Sequence, residues 1–426
     1  MKKIMIKGFF LGMSLFLVSS NVSFSQTPDS TLLLDELIQQ VLTQNPELQS
    51  SYQAWEASKT RISQQEALPD PTLGLNIMNL PVNSFSLDQE PMTGKQISVM
   101  QPFPFPGKLG LKGDIAVNES EIVLHRYREL QNQLKKRTKQ AFYDLYYVDQ
   151  ALSTVAHNQE LLKEFVEIAE TRYGVGKGTQ PDVLRAQVAL SKMLDQELKL
   201  LQQREVVQAR INTLLDKPAD TPLGEAIINQ PEFFTSNLPT LIQQADSTSP
   251  LLAAWKTAVV QSGQKVDLAL KDRYPDFSVG VAYTQRDKLQ NGMKGYDFVS
   301  AMFNVKIPLF LSKKQNKKVQ ETQIQQTSIE YRYQNIVNSI EQKLQQSLTE
   351  LEKNQRLLEL YRTGIIPQAE ESLESSIAGY QNDKVDFLSL LDSELTLFQF
   401  RLDYHRFLAD YHKAIAEIEA LTGTEL

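Results

Sequence analysis

The longest regular pattern in the chain is a heptad-like spacing of apolar residues between about Lys108 and Tyr173. Apolar side chains recur at alternating steps of four and three residues, with one exception at Gln159. No proline interrupts this stretch, and its last glycine is Gly113. The spacing predicts one helix of roughly 60 residues, about 90 Å long, that packs against a partner helix. A second apolar stripe predicts neighbours on both sides: Phe142, Tyr146, Leu161, Phe165 and Ile168.

A second pattern, with period two, marks short strands ahead of each long helix. It is clearest at 277–284 and 299–307, where apolar residues alternate with small or polar ones. Weaker versions occur at 73–77 and 97–99. Period two with one apolar and one polar face is typical of β-strands. The sequence therefore predicts two β-hairpins, at 72–103 and 276–309.

The chain repeats its landmarks in order at a nearly constant offset. The pair Pro69-Asp70 recurs as Pro275-Asp276, and the pair of Tyr173 with Lys177 recurs 207 residues later. Such self-similarity predicts two copies of one structural unit. The predicted organisation is a first repeat at 26–215, a linker at 216–238 and a second repeat at 239–426. Each repeat holds a helical segment, a β-hairpin and a helical hairpin. The helical segments are 33–66 and 238–272, and the helical hairpins are 108–215 and 311–426.

The first 25 residues have the features of a secretory signal peptide. Three lysines precede an apolar run at 9–18, and small residues follow at Ser23 and Ser25. This order predicts a signal that is cleaved before Gln26. The alternative is a retained membrane anchor, although the apolar run is short for a membrane span.

Two interpretations of the hairpins remain open at this stage. They could pack on the helices of a soluble protein, which would cover their apolar faces. They could instead form a transmembrane β-barrel whose apolar face meets lipid. Four strands per chain cannot close a barrel, so the second interpretation requires an oligomer, and three chains with twelve strands are the simplest solution.

Composition excludes several classes of function. The 426 residues include no cysteine, which rules out disulfides, thiolate metal sites, cysteine nucleophiles and a lipid on an amino-terminal cysteine. The net charge of −7 argues against a nucleic-acid partner. His405 and His412 lie two helical turns apart, about 10 Å, which is too far to share one metal ion. No nucleophile is paired with a base, so the sequence predicts neither an enzyme nor a cofactor or metal site.

Four short motifs resemble those of the TolC family of outer-membrane efflux channels. The sequence at 175–187 is similar to that family's helix-tip turn, and the Pro-Asp strand entries and two-copy layout are similar as well. The motifs at 101–108 and 367–370 most resemble the heavy-metal cation efflux branch, the CzcC and CusC type. Two features depart from the pattern: the second tip, 380–386, has no glycine, and the chain has no cysteine to carry the lipid that is frequent in this branch.

The resemblance implies a mixed, mainly α-helical fold that assembles as a homotrimer. Three chains would form a twelve-stranded β-barrel in the outer membrane, continued by a twelve-helix α-barrel in the periplasm. A periplasmic adaptor and an inner-membrane RND-type pump would dock at the far end, and the linker would lie near the tunnel's equator.

The resemblance also suggests functional residues at the two helix tips. Asp392 falls within a carboxylate-bearing constriction of the family, so we expect it to line a gate, and Arg185 occupies the equivalent place in the first repeat. Ordinary solvated surface charges are the alternative explanation for this pair. The residues expected to contact the adaptor are Gly174, Val175, Gly176 and Lys177 in the first tip and Asn382, Asp383 and Lys384 in the second.

The predicted function is that of a passive, non-lipidated exit duct for metal cations or small toxic compounds. An outer-membrane component of a type I protein secretion system would use the same architecture. From a different class, a soluble periplasmic coiled-coil scaffold also remains compatible with the helical pattern.

Overall fold

The computed structural model describes residues 31–228 and 233–425, and the predicted signal peptide lies outside these ranges. The helices are α1 Leu34–Gln44, α2 Pro46–Glu66, α3 Lys108–Gly174, α4 Gln180–Leu214, α5 Leu238–Thr248, α6 Pro250–Lys271, α7 Gln315–Leu360, α8 Ile366–Gln381 and α9 Phe387–Thr422. The strands are β1 Thr72–Met78, β2 Gly94–Phe103, β3 Asp276–Gln285 and β4 Phe298–Lys306. Both halves run through two helices, two strands and a long helical hairpin in the same order.

The segment predicted as helical before each strand pair, at 33–66 and at 238–272, consists of two helices in each half. A proline occupies the first turn of both α2 and α6. Proline restricts the residue before it to an extended conformation, which ends the preceding helix. Asn45 takes that conformation, and its side chain accepts a hydrogen bond from the Leu48 amide at 3.2 Å, which caps α2.

The long helix of the second half is also interrupted, whereas α3 is continuous. A single π-helical turn, Tyr361–Ile365, separates α7 from α8. Pro367 follows in the first turn of α8 and has no amide hydrogen to donate back to the preceding turn. A π turn accommodates such a missing bond by widening the helix locally.

The four strands form one antiparallel sheet in the order β1-β2-β3-β4. This confirms the predicted strands and adds a central pairing between the two halves. Val99 of β2 lies opposite Val281 of β3, and the rings of Phe103 and Phe277 stack with centroids 5.7 Å apart. Within the described chain, β1 and β4 each have one unpaired edge.

The two faces of the sheet differ sharply in chemistry. One face carries small or polar residues, such as Ser98 opposite Ala282. The other carries large apolar side chains that are 44% to 75% exposed: Leu73, Leu75, Ile77, Ile97, Val99, Val279, Val281, Tyr283, Val299, Phe303 and Val305. Among the residues that the structure describes, none covers this apolar face.

The helices pack along α3, where most of the heptad stripe is confirmed as core, although Tyr173 at its tip end is 51% exposed. Leu145, Val148, Val155 and Leu162 are fully buried. They belong to two hydrophobic clusters, one near the linker between the halves and one towards the hairpin tips. Gln159, the exception in the stripe, donates a hydrogen bond to Glu197 of α4 at 2.8 Å.

The described part of the linker lies against the middle of α3. Asp149 is buried and accepts hydrogen bonds from Arg204 Nε at 2.7 Å and from the Ala226 amide at 3.3 Å. Leu32 pairs with Ala226 as an isolated β-bridge. These contacts attach the linker to the helices between the sheet and the tips.

Candidate functional site

The first hairpin tip, residues 174–179, is a glycine turn that leaves its backbone accessible. Gly176 has φ +74°, a left-handed conformation that glycine adopts without a steric penalty. The amides of Lys177 and Gly178 both donate to the Arg172 carbonyl, at 2.8 and 3.0 Å. A capping box formed by Thr179 and Asp182 then starts α4.

The second tip, residues 382–386, makes a similar turn without a glycine at its centre. Asp383 takes the left-handed conformation there, with φ +57°. Aspartate tolerates this region better than most residues because its short side chain forms local hydrogen bonds. The Lys384 amide donates to the Gly379 carbonyl at 2.9 Å, and a side chain at Gly379 would clash with Val385. The missing glycine therefore does not change the type of turn.

Arg172 of α3 joins the two tips. Its Nη1 donates to the Tyr380 carbonyl at 2.7 Å, and its Nη2 forms an ion pair with Asp383. Its guanidinium lies 4.6 Å from the centroid of the Tyr380 ring, a cation–π contact. Sequence reasoning missed Arg172, although a basic residue in the last turn of α3, next to the tip motif, was an available signal.

The two predicted gate residues lie just past the two tips, one on α4 and the other on α9. Arg185 and Asp392 are both exposed. In the described residues no salt bridge joins them. Hydrogen bonds from Ser389 lower the pKa of Asp386, and the positive charge of Arg185 contributes to the same shift. All seven residues predicted to contact an adaptor are exposed at the tips.

A buried acid lies two residues after Asp392, on the inner side of α9. Glu394 is 3% exposed and accepts a hydrogen bond from the side chain of Asn158 on α3, which is also 3% exposed. The second carboxyl oxygen of Glu394 has no hydrogen-bond partner among the described residues. Burial raises the pKa of this carboxyl, and Arg401 partly opposes the shift. The heptad pattern gave no indication of this pair.

The two histidines spaced seven residues apart are packing residues. Nδ1 of His405 lies 3.1 Å from the Tyr146 hydroxyl. The His412 ring stacks on Tyr143 with centroids 4.7 Å apart. Within residues 31–228 and 233–425, no group of three or more His, Asp or Glu side chains is arranged to hold a metal ion.

Among the described helices, none contains a segment that is both long and apolar enough to cross a membrane.

The order and packing of these elements can be compared with those of known proteins. The profile of the family described as outer membrane efflux protein matches residues 37–216 and 241–424. The chain belongs to this family. The match confirms the resemblance inferred from the tip and strand-entry motifs, and both the family and the fold are those of channel proteins, not of enzymes.

Individual relatives are distant in sequence but cover nearly the whole chain. The cobalt-zinc-cadmium resistance protein CzcC of Cupriavidus metallidurans is 19% identical over 92% of this chain and 94% of its own. The outer-membrane channel OprN is 16% identical, with a TM-score of 0.77 over 92% of this chain and 89% of that one. CusC, described as forming a transmembrane channel, is 14% identical, with a TM-score of 0.76 over 92% of both chains.

Proposed function

We propose that this protein is the outer-membrane exit duct of a tripartite efflux system. Three copies form a water-filled channel that conducts substrates passively from an inner-membrane pump and a periplasmic adaptor to the exterior. The observation that carries the proposal is the four-stranded sheet, which combines one exposed apolar face with two unpaired edges and continues into a 67-residue helix.

The sheet supports a barrel shared among three chains. Exposing a large apolar surface to water costs about 25 cal/mol per Å², whereas lipid removes this cost. The β4 edge of one copy pairs with the β1 edge of the next, so that every backbone group of the edge strands finds a partner. Twelve antiparallel strands then close the barrel, with the apolar residues towards lipid and the polar residues towards the lumen.

The helices support the same threefold arrangement below the membrane. One face of α4 packs against α3, and a second apolar stripe on α4 is left exposed. The stripe consists of Leu184, Val188, Leu194, Leu198, Leu201 and Val206. In the trimer it packs against the free α7–α8 side of the neighbouring copy, which extends the helical wall into a closed twelve-helix tunnel.

The tips form the narrow, adaptor-facing end of this tunnel. The exposed turn residues at 174–177 and 382–384 contact the adaptor. Asp392 lines the gate, and Arg185 of an adjacent hairpin restrains it by charge attraction, since the two side chains are exposed and have opposite sign. Within this proposal Arg172 keeps both hairpins of one chain together, so that they move as a unit.

Metal cations or small toxic compounds are the proposed substrates, and an RND-type pump supplies the energy. Support for metal comes from the relationship to CzcC, a cobalt-zinc-cadmium resistance protein. The duct lies in the outer membrane, extends into the periplasm and is held there without a lipid anchor.

Three measurements on the full chain test the proposal. Cell fractionation should place the protein in the outer membrane, crosslinking should yield a trimer, and the purified trimer should conduct ions in planar bilayers.

Asp392→Ala and Arg185→Ala trimers should conduct more than wild type, while Lys192→Ala on α4 serves as the control. A monomer in the soluble fraction would overturn the channel, and conductance equal to wild type in both variants would overturn the gate.

A further inference from the structure

The segment between β4 and α7 exposes an unusual run of apolar side chains at the boundary between sheet and helices. Ile307 is 64% exposed, Leu309 is 78% exposed and Phe310 is 72% exposed. β4 ends at Lys306, opposite Asp276 at the start of β3, so the run begins at the helical end of the sheet. It therefore continues the exposed apolar face of the strands towards α7.

Directly after this run the chain carries a cluster of lysines. Lys313, Lys314, Lys317 and Lys318 fall within six residues and are all exposed. Lys318 pairs with Glu321 at 3.1 Å. For the other three, the described part of the chain provides no salt bridge. We call residues 307–318, with their apolar run and these lysines, the junction segment.

A cavity of about 310 Å³ lies beneath the junction segment. The lysines at 306, 314 and 318 contribute to its lining. Its floor holds Lys108, whose Nζ lies 3.2 Å from Asp272 and 2.9 Å from Asp276. Because these two carboxylates are already engaged by a buried lysine, the lysines at the rim give the cavity an excess of positive charge.

The equivalent junction in the first half, between β2 and α3, is closed. Phe105 stacks on Tyr274 with centroids 4.6 Å apart, and Lys108 is 5% exposed. The two junctions therefore differ: the first packs Phe105 against Tyr274 and buries Lys108, whereas the second leaves its apolar run and its lysines exposed.

We propose that the junction segment binds anionic phospholipid headgroups at the periplasmic surface of the outer membrane. The apolar run enters the acyl region next to the sheet, and the lysines contact phosphate groups at the rim of the cavity. Lysine side chains at a membrane boundary place their stems along apolar surface and their ammonium groups among headgroups. Charge complementarity and continuity with the apolar sheet face support this occupant. The inference rests on the proposed membrane location.

The inference is tested by titrating phosphatidylglycerol into the detergent-solubilised full chain. The melting temperature of the protein is measured at each lipid concentration. Phosphatidylglycerol should raise the melting temperature more than the neutral phosphatidylcholine does. The triple variant Lys313→Gln, Lys314→Gln, Lys317→Gln should raise the half-maximal phosphatidylglycerol concentration at least tenfold, because each lysine near an anionic surface contributes about fivefold. The matched control, Lys163→Gln, Lys192→Gln, Lys199→Gln, removes the same charge from the hairpin helices and should behave as wild type.

Two further arms identify the ligand and separate this inference from the proposed function. Soluble glycerol phosphate should not reproduce the stabilisation; if it does, the segment is a phosphate site and not a lipid site. Equal stabilisation by the two lipids, or unchanged titration of the triple variant, would also overturn the inference. Bilayer conductance of the same preparations tests the channel independently. A trimer that conducts ions but shows no lipid preference would contradict the lipid site and not the channel.

Discussion

Along the contact between α3 and α9, the region beside the linker packs aromatic rings against half-buried imidazoles, whereas the region nearer the tips buries an amide–carboxyl pair. His412 stacks on Tyr143 in the first region, and Asn158 donates to Glu394 in the second. Both regions follow the same heptad spacing. The comparison shows that one heptad spacing can place both a base and an acid away from water. Their pKa values shift in opposite directions, because burial disfavours the charged form of either group.

The largest expected effects come from the apolar core that the two regions share. Leu145 and Leu162 are both fully buried in α3, one in each hydrophobic cluster. Replacing either with alanine should lower the free energy of unfolding by about 2 to 5 kcal/mol. Thermal melting checks the size of both losses. Trypsin cleavage at Lys177 should increase mainly in Leu162→Ala, and equal cleavage in both variants would show that the two regions do not open separately.

The second prediction concerns acid sensitivity of the region beside the linker. Desolvation lowers the pKa of His412 from 6.5 to about 4, and the charge of Lys139 adds to this shift. The unfolded chain therefore binds more protons between these values, so stability is complete above pH 6.5 and falls as the pH drops towards 4. The loss is at most about 3 kcal/mol.

Melting temperatures between pH 4.5 and 8 measure this loss. His412→Phe keeps a ring on Tyr143 but cannot titrate, so its melting temperature should depend less on pH than that of wild type. His157→Phe, at an exposed position of α3, is the control. Burial also lowers the pKa of His405, which leaves a residual dependence of the same sign in His412→Phe. An unchanged slope in His412→Phe would contradict the prediction.

The third prediction tests whether Arg172 holds the tips. Arg172→Met removes the hydrogen bond to the Tyr380 carbonyl and the ion pair with Asp383. Hydrogen bonds that involve a charged group contribute about 1.5 to 3 kcal/mol, so local opening of the second tip should become easier by up to that amount. Amide hydrogen exchange over 379–387 measures the change. Arg356→Met, at an exposed position of α7, is the control. Exchange in Arg172→Met that equals the exchange of wild type would mean that Arg172 does not restrain the tip.

The smallest expected effect is the opposite pH response near the tips. Burial raises the pKa of Glu394 in the folded chain above 4.5, while Arg401 partly offsets it. The folded chain then binds more protons than the unfolded chain, so this contribution is present below pH 4.5 and is lost as the pH rises through the raised pKa. Amide exchange around 390–398, corrected for its intrinsic pH dependence, should show looser packing at pH 8 than at pH 5. Glu394→Gln should abolish this difference between pH 8 and pH 5. Looser packing at pH 5 than at pH 8 would contradict the prediction.

Much of the fold was predictable because its elements are long and strongly periodic. The strand and helix spacings correctly indicated four strands and the extent of α3 and α4. The breaks at Pro46 and Pro250 were missed because the apolar spacing continues across each proline, although the proline itself was a visible signal. The tip turns were recognised from their residues, yet the left-handed conformation of Asp383 follows only from the coordinates.

Sequence alone determined the local elements, since the period of the apolar pattern and the positions of proline and glycine act on the backbone of a few neighbouring residues. The tertiary structure decided which distant residues meet: β2 beside β3, Arg172 against the second tip, and Asn158 against Glu394. Those contacts join residues about 180 to 240 positions apart, where no local periodicity carries information. They depend on how α3 and α9 are rotated and aligned in the packed core, which is a property of the whole chain.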